Sequence, residues 1–313
     1  MVKFWNNIIH FESASEDDKC SVLSVIKIAE RIFKQVKVVQ CKELLSSFRY
    51  VLFDKDGTLE NNTEQCLKLN QEWQVSNNLN LFKTTQDMAF SFMKAFKYGL
   101  TQNEKRDINE ICTHLNKRKN RCDLFEDVES VIKWYSTMSR LGILSSNTKE
   151  GIMQFLKDKD IIDIFDQQII FAGDKQLNLK NLLRTCTPRD ILVVGDNLSD
   201  IAESNKVNAS SVLVLLESVE ERLFTILDPF IAESSKWGYP DRKGGDWFED
   251  DSFIPNLIIS NYTSYKEYLA GSLKPILVQD YFIGLIKEVN YSVNVNSNIK
   301  NRVTELVSQL EYS

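Results

Sequence analysis

The sequence predicts an α/β protein, a parallel sheet covered by helices on both faces. An all-helical insert interrupts it, and both ends carry extra helical segments. Three observations predict this. From about residue 128 onward, short apolar, β-branched runs alternate with amphipathic stretches, the rhythm of strand–helix units in a parallel sheet. Before that, Phe48-Arg49-Tyr50-Val51-Leu52-Phe53 reads as a buried strand running straight into a turn at Gly57. Between them, from Thr63 to Cys122, no convincing strand occurs, and Leu, Phe, Lys, Asn and Gln abound. The length of 313 residues suits about two domains at about 150 residues each. With 43% hydrophobic and 26% charged residues, the chain can bury a core.

Taken in order, Ser15 with Asp18 makes a helix-start signal. Val22, Leu23, Ile26, Ala29, Ile32 and Phe33 then follow at helical steps, so residues 1–47 are expected to be a helical extension. The α/β core spans 48–62 and 123–270, and the insert at 63–122 holds roughly four helices, with Met88, Phe90, Phe92, Met93 and Phe96 as its apolar stripe. Helices are predicted over 128–141, 151–158 and 177–184, and one begins at Ile201. Strands are predicted at 142–144, 168–171, 190–194, 211–216 and 255–260. Residues 217–253 break the rhythm with an aromatic, turn-rich loop around Trp237-Gly238-Tyr239-Pro240 and Trp247-Phe248. Residues 262–270, 275–289 and 299–310 have helical spacing, which makes 271–313 a C-terminal helical extension. The terminal segments are candidates for an extra layer or a homo-oligomer surface.

Composition narrows the function. Lys and Arg number 38 against 44 Asp and Glu, a net charge of −6, which argues against a nucleic-acid-coating surface. His10 and His114 are the only histidines, so Ser-His-Asp catalysis and His-rich zinc sites are poor expectations. The six cysteines are scattered without a CxxC pair, which fits reduced thiols in the cytoplasm rather than a disulfide framework. The N-terminus lacks a signal-peptide pattern, and no run of 18 apolar residues occurs, so neither a membrane span nor a membrane partner is expected.

The predicted strand ends present the chemistry. The first leads into Asp54 and Asp56, a later one into Ser145-Ser146-Asn147, and another into Asp196, Asn197 and Asp200. Acids gathered at one sheet edge repel each other unless a hard cation with oxygen ligands, such as Mg²⁺, holds them. The ordered set resembles the haloacid dehalogenase-like (HAD) hydrolase superfamily. Asp54-Lys55-Asp56-Gly57-Thr58-Leu59 fits its DxDGT motif, and Gly195-Asp196-Asn197-Leu198-Ser199-Asp200 fits GDxxxD. The strand ending in Ser145 fits its second motif. The third motif is a lone lysine, for which Lys175 is the choice and Lys180 the competitor.

The resemblance covers roughly residues 48 to 270 and implies a Rossmann-like core, with 63–122 as a mobile helical cap. It implies Asp54 as nucleophile, Asp56 as general acid and base, Ser145 and Lys175 as phosphoryl contacts, and Thr58, Ser146 and Asn147 as substrate contacts. It also implies Mg²⁺ ligands among Asp54, Asp56 (through its carbonyl), Asp196, Asn197 and Asp200. The second acid of the first motif points to phosphatase or phosphotransferase chemistry. The expected activity is therefore a Mg²⁺-dependent phosphatase for a small phosphorylated substrate. A phosphosugar mutase, a nucleic-acid-end 3′-phosphatase and a catalytically idle scaffold are the rivals. The basic run Lys117-Arg118-Lys119 with Arg121 reads as a solvated helix end, or as a means of steering an anionic substrate.

Overall fold

The computed structural model describes residues 36–44, 47–61, 123–215 and 254–292, with single positions between 297 and 308. The helix predicted around 22–33, the cap at 63–122 with its basic run and the aromatic loop within 217–253 lie outside the described residues. The strands are β1 (Val38–Gln40), β2 (Tyr50–Phe53), β3 (Arg140–Ser145), β4 (Ile170–Ala172), β5 (Ile191–Gly195), β6 (Ser210–Val214), β7 (Leu257–Ile259) and β8 (Ile276–Leu277). The helices are α1 (Val128–Ser136), α2 (Lys149–Asp158), α3 (Lys175–Leu182), α4 (Leu198–Lys206), α5 (Tyr262–Leu269) and α6 (Val278–Tyr291).

The strands form one sheet of eight in the order β4-β3-β2-β5-β6-β7-β1-β8. The first six are mutually parallel, while β1 runs antiparallel to β7 and parallel to β8. Strand β2 is central, with Val51 opposite Leu141 on one side and Leu192 on the other. All four of its residues are buried, because both faces of a parallel sheet are covered and no position is left for a polar residue.

The pleat divides those residues between two layers. Val51 and Phe53 pack with Val131, Ile132 and Tyr135 of α1, Ile152 and Phe155 of α2, and Tyr262 and Tyr265 of α5. Tyr50 and Leu52 pack on the opposite face with Leu179 and Leu182 of α3 and with Val207. A fully buried Leu or Phe stabilises by about 1.5–3 kcal/mol, so this three-layer sandwich holds the strand ends firmly. None of the described helices is long and apolar enough to cross a membrane.

Several elements differ from the sequence expectation. The helix expected over 128–141 stops at Ser136, and Arg140 already belongs to β3, its N–H bonded to the Arg49 carbonyl. Helical spacing from Tyr135 to Leu141 arises by chance, because Leu141 is buried as a strand residue. Gln168 lies in a short 3₁₀ turn rather than in β4. Both terminal stretches also give the sheet a strand. Val38–Gln40 pairs with β7, and Ile276–Leu277 pairs with β1 before α6 begins at Val278. These pieces are too short to announce themselves, since their pairing partners lie far away in sequence.

Candidate active site

The four neighbouring strands β4-β3-β2-β5 all point their carboxyl ends the same way. In such sheets the ends of adjacent strands form the natural crevice. Asp54 directly follows β2, Ser145 closes β3, Lys175 opens α3 after β4, and Asp196 directly follows β5. The alternation of strand and helix thus delivers four separate segments to one place.

Asp54 is 6% exposed, and its N–H bonds the Val194 carbonyl of β5 at 2.8 Å. The Lys175 Nζ donates to Asp54 Oδ1 at 2.8 Å and to Asp200 Oδ1 at 2.6 Å. Carboxylate oxygens of Asp54, Asp196 and Asp200 lie within 4.8 Å of one another. Burial pushes the Asp54 carboxyl up to about 7; Lys175 opposes the rise, and Asp200 and Asp196 add to it. Burial works against the Lys175 ammonium, but Asp200 and Asp54 overcome it and hold the group well above the ordinary lysine range. One ammonium does not balance three clustered carboxylates. The donor set fits a hard divalent cation with oxygen ligands, which would also restore Asp54 to its anionic form.

Two glycines make the cluster compact. Gly57 has φ of +77°, and a Cβ there would lie 2.4 Å from Asp196 Oδ2. A Cβ on Gly195 would lie 2.5 Å from Asp200 Oδ2. Only a missing side chain lets these acids close on the turn.

Asp56 stands apart from the three clustered acids. Its Oδ1 accepts from Lys55 Nζ at 2.8 Å and its Oδ2 from Asn147 Nδ2 at 3.1 Å. Lys55 also pairs with the buried Glu60. Burial opposes the Lys55 charge, but Asp56 and Glu60 together raise its pKa. Ser145 is 2% exposed, and its Oγ accepts from the Asn147 N–H at 3.4 Å.

Other sequence-selected residues take places of their own. Thr58 is fully buried, and its hydroxyl donates to Asp196 Oδ1 at 3.1 Å. It therefore helps orient that acid. The Asn197 side chain caps α4, accepting from the Ser199 N–H at 3.0 Å, while its own N–H bonds Asp200 Oδ2. Asn197 thus caps the helix that carries Asp200. Asn147 reaches Asp56, and Ser146 is exposed beside it. Lys180 is exposed and bonds Gln176, so among the two competing lysines only Lys175 reaches the acids.

Sequence reasoning missed Lys55, Glu60 and Tyr262. The last donates its hydroxyl to the Thr58 carbonyl at 2.8 Å, propping the turn from below. Nothing in the residue spacing signals that Lys55 and Glu60 are buried together.

No curated protein matches the sequence. Solved structures do. A predicted phosphatase from Clostridium acetobutylicum is 14% identical, with a TM-score of 0.50, over 72% of this chain and 99% of that one. A predicted phosphoglycolate phosphatase from Haemophilus somnus 129PT is 14% identical, with a TM-score of 0.49, over 74% and 100%. The L-2-haloacid dehalogenase from Xanthobacter autotrophicus is 14% identical, with a TM-score of 0.48, over 72% and 100%. At such identities the likeness concerns the fold alone. The family model for haloacid dehalogenase-like hydrolases, however, matches residues 51–214, more than half of the chain and the whole stretch that carries the site. With that match, and with the strand ends converging on the acids of its motifs, the chain belongs to the haloacid dehalogenase-like hydrolase family.

Proposed function

We propose that the protein is a Mg²⁺-dependent phosphatase that hydrolyses a small phosphomonoester through an aspartyl-phosphate on Asp54. The observation that carries this reading is the pairing of two differently held acids. Asp54 sits buried against Lys175 and the acid cluster, while Asp56, two residues on, is turned away to Lys55 and Asn147. Two carboxyls in unlike surroundings divide the work of nucleophile and proton carrier.

In the first step an Asp54 oxygen attacks phosphorus, and the bond from phosphorus to the ester oxygen breaks. Asp56 gives its proton to that departing oxygen. In the second step Asp56 takes a proton from water. The water oxygen attacks phosphorus, and the acyl-phosphate bond to Asp54 breaks. Lys175, fixed between Asp54 and Asp200, keeps a positive charge beside the transferring group. Ser145, at the end of β3, donates a hydroxyl to a phosphoryl oxygen. Asp54, Asp196 and Asp200 would hold Mg²⁺, which supplies charge neutralisation and orients the phosphoryl oxygens.

Asn61 and Asp123, the described residues on either side of 62–122, are hydrogen-bonded neighbours beside this turn. A cap placed there would exclude water and choose among small esters. The free thiols of Cys41 and Cys186 accord with a cytoplasmic setting.

The test is release of inorganic phosphate from a panel of sugar phosphates, nucleotides and small acid phosphates. Steady Mg²⁺-dependent release is expected, abolished by EDTA and by Asp54→Asn. Undiminished turnover in Asp54→Asn refutes the mechanism. Return of the phosphoryl group to sugar without net release indicates a mutase instead.

A further inference from the structure

A buried lysine with no contact to the acid cluster raises the question of what it does. The Lys55 side chain is 4% exposed and that of Glu60 is 1% exposed. Its Nζ lies 4.7 Å from the centre of the Phe155 ring. An apolar side chain would fill this space with no desolvation penalty, and a buried ion pair is by itself weak evidence for stability. The ammonium does one further thing: it donates to Asp56 Oδ1 at 2.8 Å. Its backbone is equally constrained, because the Lys55 carbonyl accepts from the N–H groups of Leu59 and Glu60 at 2.9 and 3.2 Å.

We infer that Lys55 is a positioning residue: held by Glu60 and lodged over Phe155, its ammonium fixes the Asp56 carboxyl in the pose from which it serves the leaving group. The inference rests on the phosphatase reading of the site. It adds a division between the two oxygens of Asp56. Oδ1 is held by the Lys55 ammonium, while Oδ2 accepts from Asn147 Nδ2 at 3.1 Å, on the side where the second segment of the site begins. Glu60 holds Lys55 from behind and bridges to Leu124, so the clamp is anchored in the paired strands of chain that flank the insert. The Lys55 side chain is buried, and its effect on the reaction passes through Asp56.

The experiment compares two esters that differ in their need for a proton. 2,4-Dinitrophenyl phosphate expels a stable anion unaided, whereas phenyl phosphate needs a general acid. The full-length wild type is measured beside Lys55→Met and Lys55→Met/Glu60→Gln, the second of which removes both buried charges and protects the fold. In both variants kcat/KM on phenyl phosphate is expected to fall about 10²-fold, the scale of general acid catalysis. On the dinitrophenyl ester it stays within a few-fold, and KM for both esters is little changed. An equal loss on both esters, wild-type values on both, or failure of both variants to reach the wild-type circular dichroism spectrum overturns the inference. A wild type without Asp54-dependent turnover of either ester refutes the phosphatase reading itself, which is a separate result.

Discussion

Gly57→Ala tests how tightly the first turn is built against the second acid of the cluster. The residue has φ of +77°, and the new Cβ would stand 2.4 Å from Asp196 Oδ2 and 2.9 Å from its carboxyl carbon. Ordinary contact begins near 3.4 Å, so the carboxylate must retreat by about 1 Å or the turn must open. The left-handed backbone alone costs an L-residue about 1–2 kcal/mol. At about 2.1 cal/mol/K of unfolding entropy per residue, each kcal/mol corresponds to about 1.5 °C of melting temperature in a chain of this size, so a fall of about 1.5–3 °C is expected. Retreat of Asp196 strains its bond from Thr58 and moves it off the common centre of the three acids. Disturbing a metal ligand's support commonly weakens affinity by about 10–100-fold, and a misplacement of about 1 Å costs about 10²-fold in rate. Calorimetric titration with Mg²⁺ and a thermal melt read the two effects independently of any substrate. A variant that melts with the wild type and binds Mg²⁺ equally well refutes the argument.

Two further outcomes follow from the charges. Lys175→Met should reduce turnover by at least about 10²-fold, on the scale of a lost electrostatic contact in the transition state, whereas Lys180→Met should leave the rate unchanged. Equal effects in a steady-state phosphate-release assay would reverse the assignment of the motif lysine. In EDTA, the raised Asp54 pKa makes the folded state bind a proton that the unfolded state has already lost. The contribution of Asp54 to stability is full below about pH 4, the ordinary carboxylate value, and is lost as pH rises through about 7. Metal-free Asp54→Asn should therefore melt above the wild type at pH 8, with the gap narrowing at pH 5. A gap that does not change with pH contradicts the burial argument.

Much of the fold was legible because the parallel strands carry their own signal. Tyr50-Val51-Leu52-Phe53 and Ile191-Leu192-Val193-Val194 are buried throughout, and a continuous apolar run ending in an acid has few other readings. Strands β1 and β8 were not legible, because two or three residues gain a ladder only from partners such as Ile259, more than two hundred positions away. Asp54, Asp196 and Asp200 could be placed together from motif order, and Lys175 from its position before a helix. The hydroxyl of Thr58 and the amide of Asn197 could not be placed. Their roles depend on which neighbour lies within about 3 Å, which spacing along the chain does not encode. The burial of Lys55 and Glu60 was not legible, since burial is a property of the packed turn and not of the residue type.

The hydrogen bonds between Asn61 and Asp123 and between Leu59 and Phe125 have a consequence for how such a molecule can change. The chain leaves the sheet and comes back at a single point. What lies between has no distance to span, and doubling its length costs only about 0.6 kcal/mol in closure entropy. Residues 62–122 can thus be lengthened, shortened or exchanged by recombination without redirecting a single strand. The stretch between Asn61 and Asp123 is free to diversify, while the strand ends keep their geometry.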